Sequence, residues 1–347
     1  MRHALDSVTL REAGPSERLL HVEPRRGTLA DRTVESLPEL LRGGDLLVLN
    51  DAATLPASLT GTTAAGDPIE IRLAGEEPDG TWRAVAFGSG DWTTPTESRP
   101  PPPDLLPGET LRLGRGLSAR VTARSDLSPR LLWIRFSLPR DRLWAALYLL
   151  GRPVQYAYER GALSLERVQT PYAARPWASE MPSAGRPLRL PLLARVRSRG
   201  VRLAWLTHAA GLSSTGDPGL DAALPLSERY DLPPATVAAL AETRRAGGRV
   251  IAVGTTVVRA LEGALRSGRG ELHPGEAVTD LRIDRGFVPQ VVGGLLSGIH
   301  ARDSSHFELL SAFLPAPLDL LYTMHVAAGG YRGHEFGDST LILPREG

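Results

Sequence analysis

Cysteine is absent from the sequence, and so is any long apolar run. Without cysteine the chain cannot form disulfides, use a thiolate as a nucleophile, or bind zinc or an iron–sulfur cluster through sulfur. The N-terminal stretch lacks an apolar segment of signal-peptide length, and no window supplies the roughly 18 apolar residues of a membrane span. We therefore expect a cytoplasmic protein without membrane contact.

A strong charge of either sign is also missing, since the formal net charge is only +1. A chain so close to neutral has no overall field that would attract a polyanion, so any contact with RNA must use a local patch. All forty basic residues are arginine, which we interpret as gene composition rather than as phosphate binding. No long heptad pattern is present, and a monomer is the default expectation.

The 347 residues exceed the roughly 250–300 at which a single core stops growing, which predicts two domains. Short alternating runs separated by glycine and proline indicate a β-rich unit over residues 59–139. Buried strands alternate with helices on both sides of it, as is typical of a mostly parallel sheet. The predicted fold class is α/β, in which residues 1–58 and 140–347 form the domain that carries the active site and residues 59–139 are inserted.

The stretch Arg249–Glu262, RVIAVGTTVVRALE, predicts a buried strand that turns sharply into a helix. Gly254 permits a tight turn, and Thr255 or Thr256 can cap the helix. The first N–H groups and the positive end of the helix dipole would then point outward, which favours an anion. Such turns are common in α/β proteins, so this pattern alone does not decide the function.

Further polar residues follow other apolar runs: Asn50 and Asp51, Thr207 and His208, His300 with residues 303–305, and Asp338. The carboxyl ends of parallel strands share one edge of a sheet, so these side chains are candidates for a common site. No spacing among them matches a zinc helix, a P-loop or a dinucleotide-binding turn, and we expect no metal. A single histidine at such a position is as often structural as catalytic.

Residues 151–187 show little periodicity. Irregular segments of this length inside a compact domain are usually functional or disordered. Four aromatic residues argue against disorder and favour a packed loop that lines a ligand site: Tyr156, Tyr158, Tyr172 and Trp177.

The segment AVGTTVVRALE at residues 252–262 resembles the S-adenosylmethionine:tRNA ribosyltransferase-isomerase family of queuosine biosynthesis, which reads AVGTTSVRxLE there. Further matches follow in family order from about Gly14 to the C-terminus. They include VQTPYAARP at residues 168–176, PSAG at 182–185, SE at 227–228, IH at 299–300 and FGD at 336–338.

The resemblance implies an α/β domain interrupted by a β-barrel. It also implies that S-adenosylmethionine donates its ribosyl portion to a 7-aminomethyl-7-deazaguanine base in tRNA, with loss of adenine and methionine. This chemistry needs a base beside the sulfonium and an acid for adenine, and the candidates are His208, Glu228 and His300. Tyr172 can face the sulfonium through a cation–π contact. The substrate-binding candidates are Asn50, Asp51, Tyr172, Pro182, Ser183, Ala184, Gly185, Gly254, Thr255, Thr256, Arg259 and Asp338.

Some segments differ from the family pattern. The family's NNTRVxPAR reads NDAATLPAS at residues 50–58, so two arginines that can bind phosphate or carboxylate are absent. Two alternatives therefore stay open beside tRNA modification. The chain can be an S-adenosylmethionine-dependent enzyme with a small-molecule acceptor, or a non-catalytic protein that binds a nucleoside or RNA.

Overall fold

The structure, a computed structural model, describes residues 17–159 and 161–343. The N-terminal stretch, the start of the resemblance near Gly14 and the outer ends of the predicted α/β domain lie outside those residues. In the part that is described, no helix is both long enough and apolar enough to cross a membrane.

The strands, in chain order, are β1 (Arg18–Glu23), β2 (Thr28–Thr33), β3 (Leu46–Asn50), β4 (Ala52–Thr54), β5 (Ser58–Thr62), β6 (Pro68–Glu76), β7 (Trp82–Phe87), β8 (Thr110–Gly114), β9 (Leu117–Arg124), β10 (Leu131–Phe136), β11 (Arg175–Ala178), β12 (Arg202–His208), β13 (Glu228–Leu232), β14 (Val250–Val253), β15 (Gly275–Thr279), β16 (Gly294–Gly298) and β17 (Ser339–Ile342). The helices are α1 (Leu37–Leu40), α2 (Arg140–Leu150), α3 (Leu190–Ser198), α4 (Pro218–Ala222), α5 (Pro234–Arg245), α6 (Thr255–Ser267), α7 (Ser305–Ser311) and α8 (Leu318–Ala328).

The main sheet has the strand order β15-β13-β12-β3-β14-β16-β17-β1-β2 within the described residues. Its central strands β12, β3, β14 and β16 are parallel, and helices cover both faces, so all five residues of β3 are buried. The α/β class is confirmed. The sheet is nevertheless mixed rather than mostly parallel, because β13, β15, β17 and β2 each join a neighbour in antiparallel fashion. An alternation of strands and helices in sequence does not reveal the direction in which a strand enters the sheet.

The inserted β-rich unit is a closed antiparallel barrel in the order β10-β7-β6-β5-β8-β9, with β9 paired to β10. Buried and exposed residues alternate along β9, where Leu117, Ala119 and Val121 are buried and Arg120 is exposed. This pattern gives the strand one face for the barrel core and one for solvent. The barrel core also takes in Leu220 of α4, so the chain around α4 is held against the barrel.

The strand and helix predicted around Gly254 are β14 and α6. All four residues of β14 are buried, and Gly254 has a φ of +94°, a conformation that favours glycine. The expected threonine cap is not formed, because Gly254 itself occupies the N-cap position. The Thr256 hydroxyl instead accepts a hydrogen bond from Asn50 Nδ2 at 3.3 Å.

Candidate active site

A cavity of about 490 Å³ opens at the carboxyl ends of the central strands. It is bordered by the residues that follow β12, β14 and β16, together with the start of β13 and the loop before β17. In a sheet with parallel central strands, ligands bind in the crevice outside these carboxyl ends. The predicted residues that line it are Pro182, Ser183, Ala184, Glu228, Gly254, Thr255, Thr256, Arg259 and His300.

The start of α6 forms one wall of the cavity. Gly254, Thr255 and Thr256 line it, and no side chain caps the helix among the described residues. The neighbouring wall is close, because a Cβ on Gly254 would lie 3.5 Å from Ala184 Cβ. A thirteen-residue helix with uncapped N–H groups facing a cavity suits an anionic group of a ligand.

A buried charged cluster supports the adjoining wall. Arg259 Nη1 donates a hydrogen bond to Glu228 Oε2, and Arg259 Nε donates to the Leu281 carbonyl at 3.0 Å. Glu228 Oε1 accepts from the Gly211 N–H at 2.7 Å. Burial acts to raise the pKa of Glu228, but Arg259, His208 and the Gly211 N–H together hold it below its ordinary value. Glu228 is therefore ionised at neutral pH, and Arg259 already has a partner within the protein.

The two predicted histidines differ in position. His208 is fully buried behind the cavity, with Nε2 at 3.2 Å from Glu228 Oε2 but without the alignment of a hydrogen bond. Burial lowers the pKa of His208 to about 4, so its ring is neutral. His300 lines the cavity, where Nε2 lies 2.9 Å from Ser297 Oγ and the ring stacks on His306 at 4.9 Å between centroids. Burial, with His306 and His334 nearby, also lowers the pKa of His300 well below its ordinary value.

The irregular segment supplies an aromatic and acidic wall. Tyr156 and Tyr158 stack at 5.7 Å between centroids and line the cavity. The Tyr156 hydroxyl donates to Glu180 Oε1, and the Tyr158 hydroxyl donates to Glu335 Oε2 at 2.6 Å. Burial is the main reason that the pKa of each tyrosine is raised well above its ordinary value, so both hydroxyls remain donors.

Three further predicted residues lie outside the cavity lining, and each has a structural role. Asn50 donates from Nδ2 to the His208 carbonyl at 3.0 Å and accepts from the His208 N–H at 2.9 Å, which links β3 to β12. Asp51 accepts from Thr207 Oγ1 at 2.6 Å, and burial raises its pKa. Asp338 accepts from the Arg332 N–H at 2.9 Å and so shapes the loop before β17.

Tyr172 and Gly185 pack against each other away from the cavity lining. A Cβ on Gly185 would lie 2.1 Å from the Tyr172 hydroxyl oxygen, so only glycine fits there. The Tyr172 hydroxyl is buried and has no hydrogen-bond partner among the described residues. Trp177 lies at a separate small pocket beside Arg229. Of the four aromatic residues expected to line a ligand site, Tyr156 and Tyr158 therefore do so in the main cavity.

Sequence reasoning did not select Glu180, His306 or Glu335, although all three line the cavity. Glu180 and Glu335 are 155 positions apart in the sequence, and only the fold brings them to the same wall. His306 stands directly after the polar turn at residues 303–305, and its place at the start of α7 was a signal that could have identified it.

The cavity thus combines an uncapped helix start, the neutral His300 ring and a wall of tyrosine and glutamate side chains. Over residues 17–159 and 161–343 no cluster of three or more histidine, aspartate or glutamate side chains is arranged to hold a metal ion. The groups in place suit binding of a ligand with both charges and proton transfer by imidazole.

The chain is similar to known proteins over nearly its whole length. The model of a family described as queuosine biosynthesis protein matches residues 5–342. A protein of Anaeromyxobacter dehalogenans named S-adenosylmethionine:tRNA ribosyltransferase-isomerase is 37% identical over 350 residues, covering 97% of this chain and 94% of its own length. A protein of the same name from Acidithiobacillus ferrooxidans is 35% identical over 337 residues, covering 95% and 92%.

The solved structure of an S-adenosylmethionine tRNA ribosyltransferase from Thermotoga maritima is similar in fold. Its TM-score is 0.51 at 24% identity, and the match covers 98% of this chain and all of that one. The match of the family model over nearly the whole sequence, with these relatives, places the chain in a family: it belongs to the queuosine biosynthesis protein family.

Proposed function

We propose that this protein transfers and isomerises the ribosyl portion of S-adenosylmethionine onto a 7-aminomethyl-7-deazaguanine base in tRNA, which forms epoxyqueuosine. The observation that carries the proposal is the cavity at the strand ends, in a chain whose named relatives match it almost end to end. Neither a small-molecule acceptor nor a non-catalytic role finds support in these relatives, so tRNA is the expected acceptor.

The start of α6 is the proposed place for the carboxylate of the methionine portion. The uncapped N–H groups beside Thr255 and Thr256 are available to donate hydrogen bonds to a negative group. The Thr256 hydroxyl is held by Asn50, which explains how Asn50 supports the site from outside the cavity.

His300 is the proposed base. The reaction must remove a proton from the carbon beside the positive sulfur, where the resulting ylide is stabilised. His300 faces the cavity, and its lowered pKa keeps the imidazole free to accept that proton at neutral pH. Glu228 is ionised in the same lining, and Arg259 and the Gly211 N–H hold its carboxylate in place.

Adenine release tests this proposal. Purified protein would be incubated with S-adenosylmethionine and either tRNA that carries 7-aminomethyl-7-deazaguanine or the same tRNA with guanine, and adenine would be quantified by chromatography. We expect adenine only with the first tRNA. We expect His300→Gln to lower the rate by about 10²–10⁴-fold, the usual contribution of a positioned base. His273→Gln, at an exposed histidine, is the matched control. Failure of the precursor tRNA to support adenine release would refute the proposed acceptor.

A further inference from the structure

A recess beside the main cavity is lined by three carboxylates, Glu159, Glu180 and Glu335, and by the rings of Tyr156 and Tyr158. We call these residues the carboxylate recess. Its volume is about 20 Å³, and it shares Tyr156, Tyr158, Glu180 and Glu335 with the main cavity. The recess and the main cavity therefore lie against the same residues.

The Glu159 carboxylate has no hydrogen-bond partner in the described part of the chain, although only 6% of the residue is exposed. An unpaired buried carboxylate is costly, so a cationic partner from outside the protein would stabilise the ionised form of Glu159. No arginine or histidine of residues 17–159 and 161–343 lies within ion-pair distance of any of the three carboxylates. Arg167 and Arg186 lie farther from Glu159, where their charges act to lower its pKa, and Arg186 pairs with Glu17.

Glu180 and Glu335 each have one carboxylate oxygen that can still accept a hydrogen bond. Glu180 uses Oε1 for Tyr156 and for the Ser213 N–H at 2.9 Å, and Glu335 uses Oε2 for Tyr158. For the other oxygen of each carboxylate, no hydrogen bond from a described residue is present. The tyrosines thus fix the directions of the two carboxylates and leave acceptors available beside Glu159.

We propose that the carboxylate recess binds a primary ammonium group of a substrate. A volume of about 20 Å³ holds a group the size of a water molecule, which fits an ammonium head and excludes a sulfonium with its three carbon substituents. An ammonium group has three donors for the three carboxylates, whereas a sulfonium has none and would leave Glu159 unpaired.

The inference rests on the proposed function for the identity of the amine. Two substrates carry one: S-adenosylmethionine has the α-ammonium of its methionine portion, and the acceptor base has its aminomethyl group. The chemistry of recognition is the same for both. The experiment distinguishes them by comparing each amine with an analogue that lacks it.

The test measures binding by calorimetry to the full-length protein and to Glu159→Gln and Glu335→Gln. Glu166→Gln, at an exposed position outside the recess lining, is the matched control for loss of one negative charge. The four probes are S-adenosylmethionine, its analogue without the α-amino group, a synthetic RNA stem-loop with 7-aminomethyl-7-deazaguanine, and the same RNA with a 7-hydroxymethyl group. Thermal unfolding verifies that each variant is folded, and the second variant keeps the test valid if one does not fold.

We expect one amine-bearing probe to lose affinity at least about tenfold in both recess variants, while its amine-free analogue and the control variant are unaffected. Loss of affinity for S-adenosylmethionine would identify its α-ammonium as the group bound in the recess. Loss of affinity for the aminomethyl RNA would identify the aminomethyl group of the acceptor base. Unchanged affinity for both amines, or equal loss for their amine-free analogues, would overturn the proposal. Adenine release by the unmodified protein reports on the proposed function separately, because these binding measurements do not depend on turnover.

Discussion

Replacement of Arg259 by methionine tests the ion pair between Arg259 and Glu228 in the cavity wall. Arg259 and Glu228 are only 5% and 6% exposed, and the carboxylate depends on Arg259 for its opposite charge. Methionine keeps much of the apolar stem and removes the guanidinium, so Glu228 would remain buried without its main ionic partner. Loss of one partner of a buried pair costs about 3–5 kcal/mol of unfolding free energy.

The cost should depend on pH in a defined direction. In the unmodified protein the pKa of Glu228 lies below its ordinary value of 4.5, so its contribution to stability is present above pH 4.5 and is lost as the pH falls through the folded value. Without Arg259, burial would raise that pKa, and protonation would relieve the unpaired charge. The difference in stability between the two proteins should therefore be larger at pH 7 than at pH 4.

Urea denaturation at both pH values measures these differences. Arg195→Met is the control, because Arg195 pairs with Glu35 at the surface and such pairs contribute only about 0–1 kcal/mol. The double variant with Glu228→Gln should recover part of the loss, since it removes the unpaired charge. A loss for Arg259→Met no greater than that of Arg195→Met, or no change between pH 7 and pH 4, would refute the reasoning.

Two more substitutions probe the turn and the barrel. Gly254→Ala should lower the free energy of unfolding by about 1–3 kcal/mol, because the φ of +94° strains any other residue while the added Cβ meets only ordinary contacts. Urea denaturation measures this change, and an unchanged midpoint would contradict the expectation. Glu70→Gln should cost about 3–5 kcal/mol at pH 7, since Glu70 is the buried partner of Arg72 and Arg99. Burial acts to raise the pKa of Glu70, but the arginines hold it below 4.5, so the loss should shrink as the pH falls through the folded value, and a pH-independent loss would argue against the ion pair.

The sequence was sufficient for elements with strong local signals. The apolar run before Gly254 and the longer spacing after it predicted β14 and α6, and alternating runs such as that of β9 predicted the β-rich unit. It was not sufficient where a role depends on long-range contacts. Arg259 is chemically suited to bind a ligand, but the fold places Glu228, 31 positions earlier, against its guanidinium.

The same limit applies to the residues around the cavity. The polar residues that end β3 seemed equivalent to those after β14, yet Asn50 is used to join strands. Its role depends on the neighbouring strand β12, whose position beside β3 is not encoded within either segment. The acidic wall was missed for the same reason, because Glu335 reaches Glu159 and Glu180 of the irregular segment only through the fold.

The carboxylate recess should release protons when it binds a cation. Burial, with Glu335 as the next cause, raises the pKa of both Glu159 and Glu180 to about 7, so each carboxyl group is partly protonated at neutral pH. A bound ammonium group would lower both pKa values and expel those protons. Calorimetry of the amine-bearing substrate in buffers of different ionisation enthalpy measures the number released.

That number should fall towards zero near pH 9, where the carboxylates are ionised before binding, and should increase as the pH is lowered from 9 to just below 7. Glu159→Gln should reduce the number at pH 7, whereas Glu166→Gln should not. Other ionisable groups of the described residues also face the recess or act on its members: Tyr156, Tyr158, His334, Arg72, Arg167 and Arg186. The two tyrosines remain protonated throughout this range because their pKa values are raised. Proton release that is equal in the protein and in Glu159→Gln would mean that the protons come from elsewhere, and the charge balance inferred for the recess would be wrong.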